Sequence, residues 1–143
     1  MPEAPEAGAV RGAAASSRQA ARKVAVAIHP KKGRALVAVE RIGAGELIEA
    51  APVVILSAAD CAALDRTALA HYYFHWDGDA DADGRGALAL GYVGLCNHSA
   101  RPCARVLRNH GAETLDLVAI VNIAVGEEVT IDYNCPLWFE VSE

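Results

Sequence analysis

Residues 94–104 read GLCNHSARPCA. The stretch sets Asn97, His98 and Ser99 between two thiols, Cys96 and Cys103, after the apolar run ALALGYV. Three chemistries use such groups. A zinc site wants about four ligands at regular spacing, and Cys96, His98 and Cys103 have none. A Cys or Ser nucleophile needs a base, an orienting acid and an oxyanion hole. Adjacency of His98 and Ser99 does not make a triad, and the stretch has no nucleophile elbow. The third is a need for polar groups of some other kind, which the stretch by itself leaves open.

Working outward, RVLRNHGAETLDLVAIVNI reads as a hairpin turning at NHGAET, and GEEVTIDYN as a last strand. Toward the N-terminus, KVAVAIHP is a strand closed by Pro30 and ALVAVERI a second. GELIEAAPVVIL gives a third and a fourth, with Gly43 and Gly45 in the preceding turn. SAADCAALDRTALAHYYFHW reads as the main helix, capped by Ser57 or Asp60, with Leu64, Leu69 and Tyr72 or Tyr73 as its apolar stripe. Many short strands with one modest helix predict a mainly β fold of small sheets. Residues 1–22, rich in Ala and Arg, show no apolar period and read as a mobile arm, leaving 23–143 as one domain.

The chain has 143 residues and a formal charge of −5, which argues against a general nucleic-acid binder. A small basic peptide is the easier partner. No apolar run reaches the roughly 20 residues that span a bilayer, so no membrane partner is expected. The first residues, MPEAPEAGAV, lack the order of a signal peptide, so the protein is expected not to be secreted. Cys61, Cys96, Cys103 and Cys135 form no C-x-x-C pair. Cys61 and Cys96 read as small core hydrophobes.

Two further motifs invite a metal. Asp79, Asp81, Asp83 and Gly84 match the start of an EF-hand loop, but Leu90 stands where the bidentate Glu belongs. His71 and His75 have helical spacing without a third ligand, and their neighbours Tyr72, Tyr73, Phe74 and Trp76 point to an aromatic packing layer.

Three segments taken together are more specific. KKGRALVAVERIGAGELIEAAPVVIL, ALALGYVGLCNHSARPCA and LVAIVNIAVGEEVTIDYN follow one another in the order and spacing of a SET domain. The chain resembles the SET-domain protein-lysine methyltransferases, above all their short bacterial and viral members, over about residues 24–139. The resemblance implies a β-clip-like fold of several small twisted sheets, one main helix and a C-terminal pseudoknot that brings the N-H-S turn against the D-Y strand. It implies transfer of a methyl group from S-adenosyl-L-methionine to a lysine amine of a protein or peptide, a basic histone-like tail being one candidate. The alternative is a degenerate domain that binds peptide or cofactor without turnover. By the family pattern, Gly33, Arg34, Ala35, Asn97, His98, Tyr133 and Trp138 would contact the cofactor, and Tyr133 and Tyr72 would line the lysine channel as catalytic tyrosines. Ala35 stands where the family has a second glycine, Cys103 where it has Asn, Ala51 where many members have a channel tyrosine, and Val106 where larger members have an aromatic. Ala100 and the lone Cys135 replace the family's zinc ligands, so no metal is expected. A homodimer remains open, as does the compartment, cytoplasmic in a bacterium or nuclear in a eukaryote. The A-R-K core of QAARK marks Lys23 as a candidate methyl acceptor within the chain itself.

Overall fold

A computed structural model describes residues 23–77 and 84–133. Residues 1–22, the acidic stretch 79–83, Cys135 and Trp138 lie outside the described residues, and with them the expected arm and the threading of the last segment.

Among the described residues, nine short strands form three sheets, accompanied by one α-helix. β1 (Val24–His29) and β2 (Gly33–Ala38) make an antiparallel hairpin. Its turn ends at Gly33 with φ +79°, a conformation that costs any residue with a Cβ. The central sheet has the order β4-β5-β3-β8-β7 and is antiparallel throughout. Its members are β3 (Leu47–Leu56), β4 (Tyr73–His75), β5 (Gly86–Ala89), β7 (Ala104–Asn109) and β8 (Thr114–Ala119). The hairpin expected around NHGAET is β7–β8.

The segment GELIEAAPVVIL holds one strand rather than two. Its first half pairs with β8 as far as Pro52, and from Val53 onward it pairs with β5. Proline has no N–H to give to a ladder, so the change of partner falls where a bond would be lost anyway. A bulge between Leu47 and Glu49 breaks the alternation of β3, and Ile48 and Glu49 are both buried.

The main helix, α1, is shorter than its apolar spacing predicts. It runs only over Ala58–Leu64. Ser57 caps it by accepting from the Asp60 N–H, and the Asp60 carboxylate accepts from the Ser57 N–H in return. Cys61 is its buried anchor. The chain then turns, and residues 73–75 leave helical geometry to pair with β5. Leu69 and Tyr72 are exposed, so the expected stripe does not face the core. The aromatic layer is formed in part: Trp76 is buried against His110 with ring centroids 4.5 Å apart, and Phe74 packs on the core.

The sheet curls until its edges meet. Arg108 on β7 donates through Nε to the carbonyl of His75 on β4, and the Trp76–His110 contact joins the same two edges. Leu36, Ile48, Val93, Leu115, Leu117, Val129 and Ile131 fill the core.

The third sheet is the smallest. β6 (Asn97–His98) runs parallel to β9 (Thr130–Ile131), pairing Asn97 with Thr130 and His98 with Ile131. The Ser99 N–H closes it on the Ile131 carbonyl at 2.9 Å. On its other side the Val129 N–H donates to the Leu36 carbonyl of β2 at 2.7 Å. Two stretches thirty residues apart thus lie side by side, as the resemblance implied. Among the described residues, no helix is long and apolar enough to cross a membrane.

Candidate active site

A 3-10 turn, Tyr92–Leu95, delivers the chain from β5 to β6. Its leading N–H groups lack intrahelical partners, and the buried Glu49 supplies them: Oε2 accepts from the Tyr92 N–H at 2.9 Å and Oε1 from the Val93 N–H at 3.0 Å. Gly91 is required here by space, since a Cβ on it would stand 2.7 Å from Glu49 Oε2 and 2.9 Å from the Ala51 Cβ. Ala51 is therefore core packing, not channel lining.

Beyond this turn lies a cleft of about 200 Å³ lined by Gly94, Leu95, Cys96 and Asn97, by Lys32 and Arg34 of the β1–β2 hairpin, by His71 and Tyr72, and by Tyr133. Five expected site residues thus take defined places around it: Arg34, Asn97, Tyr72 and Tyr133 on the wall, and Gly33 beside Arg34. Ala35 is buried at 3% exposure and is not a lining residue.

Tyr133 is held at both ends. Its N–H donates to His98 Nδ1 at 3.2 Å, its hydroxyl donates to the Cys96 carbonyl at 3.2 Å, and its ring meets the His98 imidazole edge to face at 5.1 Å. His98 therefore acts from behind the tyrosine. The Asn97 side-chain amide donates to the Arg34 carbonyl at 3.1 Å and to Glu128 Oε2 at 2.6 Å, tying β2, β6 and the approach to β9 together. Glu128 also faces Lys32 Nζ at 3.9 Å.

Cys103 occupies the family's Asn position with a working substitute. Its thiol donates to the Glu128 carbonyl at 3.4 Å and accepts from the Thr130 N–H at 3.4 Å, so it still pins the strand leading to Tyr133. Cys96 is buried, and burial together with the charge of Glu49 pushes its thiol well above the usual range. It stays protonated at neutral pH, which removes it as a nucleophile. No group of three or more metal-ligating side chains gathers among the described residues.

Sequence reasoning missed Glu49, Lys32 and Glu128. Glu49 carried a signal, a lone acid in an apolar strand. Lys32 and Glu128 carried none, because surface charges are common in turns. Lys23, the candidate internal acceptor, has its ammonium on Glu46 Oε2 at 2.7 Å and on the Leu47 carbonyl at 2.7 Å. Methylation there would require both contacts to open.

The donor set fits S-adenosylmethionine. Lys32 and Arg34 offer cations for a carboxylate, and the Cys96 carbonyl and Tyr133 hydroxyl supply polar atoms at the wall. Gly33, with nothing within 4 Å of where its Cβ would stand, leaves its backbone open to close approach.

The chain matches the SET domain family over residues 33–134. It belongs to that family, the SET-domain protein-lysine methyltransferases. A curated relative from Schizosaccharomyces pombe, the histone-lysine N-methyltransferase specific for H3 lysine-37, is 30% identical over 111 residues, covering 77% of this chain and 72% of the relative. Among solved structures, a Plasmodium falciparum candidate histone methyltransferase superposes with TM-score 0.63 at 23% identity, covering 82% of this chain and 98% of that one. The Neurospora SET domain protein DIM-5, a histone lysine methyltransferase, superposes with TM-score 0.60 at 19% identity, covering 84% of this chain and 55% of that one. At these identities the two structures bear on the fold alone.

Proposed function

We propose that the cleft beneath Tyr133 is the active site of an S-adenosylmethionine-dependent protein-lysine N-methyltransferase acting on a basic, histone-like tail. The observation that carries this reading is the β6–β9 pairing, which sets the Tyr133 hydroxyl on the Cys96 carbonyl at the wall of a cleft also lined by Asn97 and Arg34. The family match supports the reaction, and the printed specificity of the fission-yeast relative makes a histone H3 tail the first substrate to try.

The reaction needs a neutral amine. A free lysine has a pKa of about 10.4, so roughly one in a thousand is neutral at pH 7. When bound, the cofactor supplies an electrophilic methyl group on a sulfonium. This chain's residues do the positioning. The Tyr133 hydroxyl and the Cys96 carbonyl form a polar pair able to hold the amine in one orientation, and Tyr72 lines the same cleft. Asn97 fixes the distance between the hairpin and β6. Lys32 and Arg34 would hold the carboxylate of the cofactor's amino-acid end. Trp138, outside the described residues, is assigned to cover the adenine, and residues 23–143 are taken as the functional unit.

Ala35 and Cys103 are the features that favour a degenerate domain. Ala35 is buried and away from the cleft wall, so its methyl group obstructs nothing there, and Cys103 bonds through its thiol to the strand leading to Tyr133. Incubating the purified chain with methyl-labelled cofactor and an array of histone and proteome peptides tests the proposal. Label on lysine supports it. Binding of cofactor or peptide by calorimetry with no transfer on any peptide would favour the binding module, no cofactor binding would overturn the methyltransferase, and no binding of either would overturn both.

A further inference from the structure

Behind the cleft wall lies a second hollow, of about 410 Å³, lined by Asp65, Ala70, His71, Tyr73 and His75. The segment 70–73 separates the two spaces. Tyr72 lines the cleft, Tyr73 and Ala70 line the hollow, and His71 lines both. Among the described residues, the cleft has two cations on its wall, Lys32 and Arg34, and the hollow has no Lys or Arg and one carboxylate.

That carboxylate is positioned. Asp65 ends α1, and the Tyr73 hydroxyl donates to its Oδ1 at 2.6 Å. Oδ2 takes no hydrogen bond among the described residues. Burial and the hydrogen bond and charge of Asp65 push the Tyr73 phenol well above its usual range, so it is a donor at neutral pH. An aromatic ring beside a fixed carboxylate is the pair of surfaces a guanidinium uses: planar hydrogen bonds to the acid and a face against the ring.

We propose that this hollow is a specificity subsite that receives an arginine flanking the target lysine. The proposal rests on the methyltransferase reading of the neighbouring cleft, and names the substrate class further: a lysine with an arginine close to it in sequence. The two spaces share His71, so one peptide can reach both. An extended chain advances about 3.3 Å per residue, so an arginine near the lysine in sequence is the one that can reach a hollow adjoining the cleft. Arginine is preferred over lysine because only its fork matches a carboxylate with two parallel hydrogen bonds. The chain's formal charge of −5 favours the same cationic partner.

The test uses the full chain and a lysine peptide in which arginine is moved through the three positions on either side. Each peptide has a glutamine-substituted partner. Wild type should prefer arginine over glutamine at one position by about tenfold in kcat/KM, the scale of a charge-assisted hydrogen bond. In Asp65→Asn, which keeps an acceptor for Tyr73, that ratio should fall close to one. In Asp65→Lys the preference should invert toward a glutamate-substituted peptide. An arginine preference unchanged in Asp65→Asn, or no arginine preference at any position, would overturn the subsite. If wild type transfers no methyl group to any peptide, the methyltransferase reading has failed, and the subsite is still decided by calorimetry: arginine-over-glutamine binding lost in Asp65→Asn upholds it, and equal binding of both peptides sinks it.

Discussion

The backbone N–H of Tyr133 donates to Nδ1 of His98, and the two rings meet edge to face. The histidine of the N-H-S turn thus holds the tyrosine of the D-Y strand by an atom that no rotation of the tyrosine side chain can move. The acceptor role also fixes the tautomer of His98 in this arrangement: Nδ1 bare, the proton on Nε2.

Replacing His98 with alanine removes that acceptor and the ring behind Tyr133. We expect a stability loss of about 1 kcal/mol, typical of one hydrogen bond. Cofactor affinity should fall by about tenfold, because the strand carrying Tyr133 is no longer fixed to β6. Calorimetry with S-adenosylmethionine and a thermal melt check both. An unchanged affinity would remove the N-H-S turn from the site.

Tyr133→Phe keeps the ring against His98 and loses the bond to the Cys96 carbonyl. The fold should lose about 1 kcal/mol or less, and cofactor binding should hold. Methyl transfer should drop by about a hundredfold, the scale of a misplaced reactant. Single-turnover rates on the mutant decide it, and near-normal turnover would free Tyr133 of any role in catalysis.

Gly33 and Gly91 should respond differently to alanine. Gly91 has an ordinary extended backbone and no room: the new methyl meets Glu49 Oε2 and Ala51. We expect a loss of about 1–3 kcal/mol, as in overpacked cores, together with weakened activity, since Glu49 holds the turn that leads to the cleft. Gly33 has room but φ +79°, so its cost is backbone strain of about 1 kcal/mol. Denaturant titrations of the two variants measure the difference.

Alkali should destabilise the protein. Burial pushes up the Cys61 and Cys96 thiols and the Tyr73 phenol, whose ordinary values are 9.0, 9.0 and 10.0. A raised pKa in the folded state gives stability that is complete below the ordinary value and disappears as pH climbs toward the raised one. Melting temperature should therefore hold up to about pH 9 and decline above it, and Tyr73→Phe should soften the decline. A flat profile from pH 8 to 11 would contradict the burial of these groups. Methyl transfer itself is favoured by a deprotonated lysine, so the best assay pH lies just under the start of that decline.

Much of this was legible in the sequence because it rests on local rules. The strands β1 and β2, the β7–β8 hairpin, a helix cap at Ser57 or Asp60 and the buried Cys61 and Cys96 follow from strand patterning, turn chemistry, capping preference and hydrophobicity. The helix was overextended because Leu64, Leu69 and Tyr72 have helical spacing, while Tyr73–His75 is drawn into strand geometry by β5, a partner with no local signature. That same pairing takes His71 and His75 off a common helix face. The N-H-S and D-Y motifs marked the two stretches that the β6–β9 pairing brings together. The Glu49 clamp, the Glu128–Asn97 contact and the replacement of Asn by the Cys103 thiol depend on which strands meet, and spacing along a chain does not encode that.

The parallel pairing of β6 with β9 has a consequence for how the protein comes into being. The cleft takes its wall from residues 32–34, 71–72, 94–97 and 133, so its pieces span nearly the whole described chain. Contacts of such long sequence separation form slowly, since loop closure must be accomplished before they contribute. On the ribosome, β1 through β8 can emerge and pair while the cleft still lacks Tyr133. A chain cut short before Tyr133 can thus carry most of the sheet structure while the cleft lacks that part of its wall.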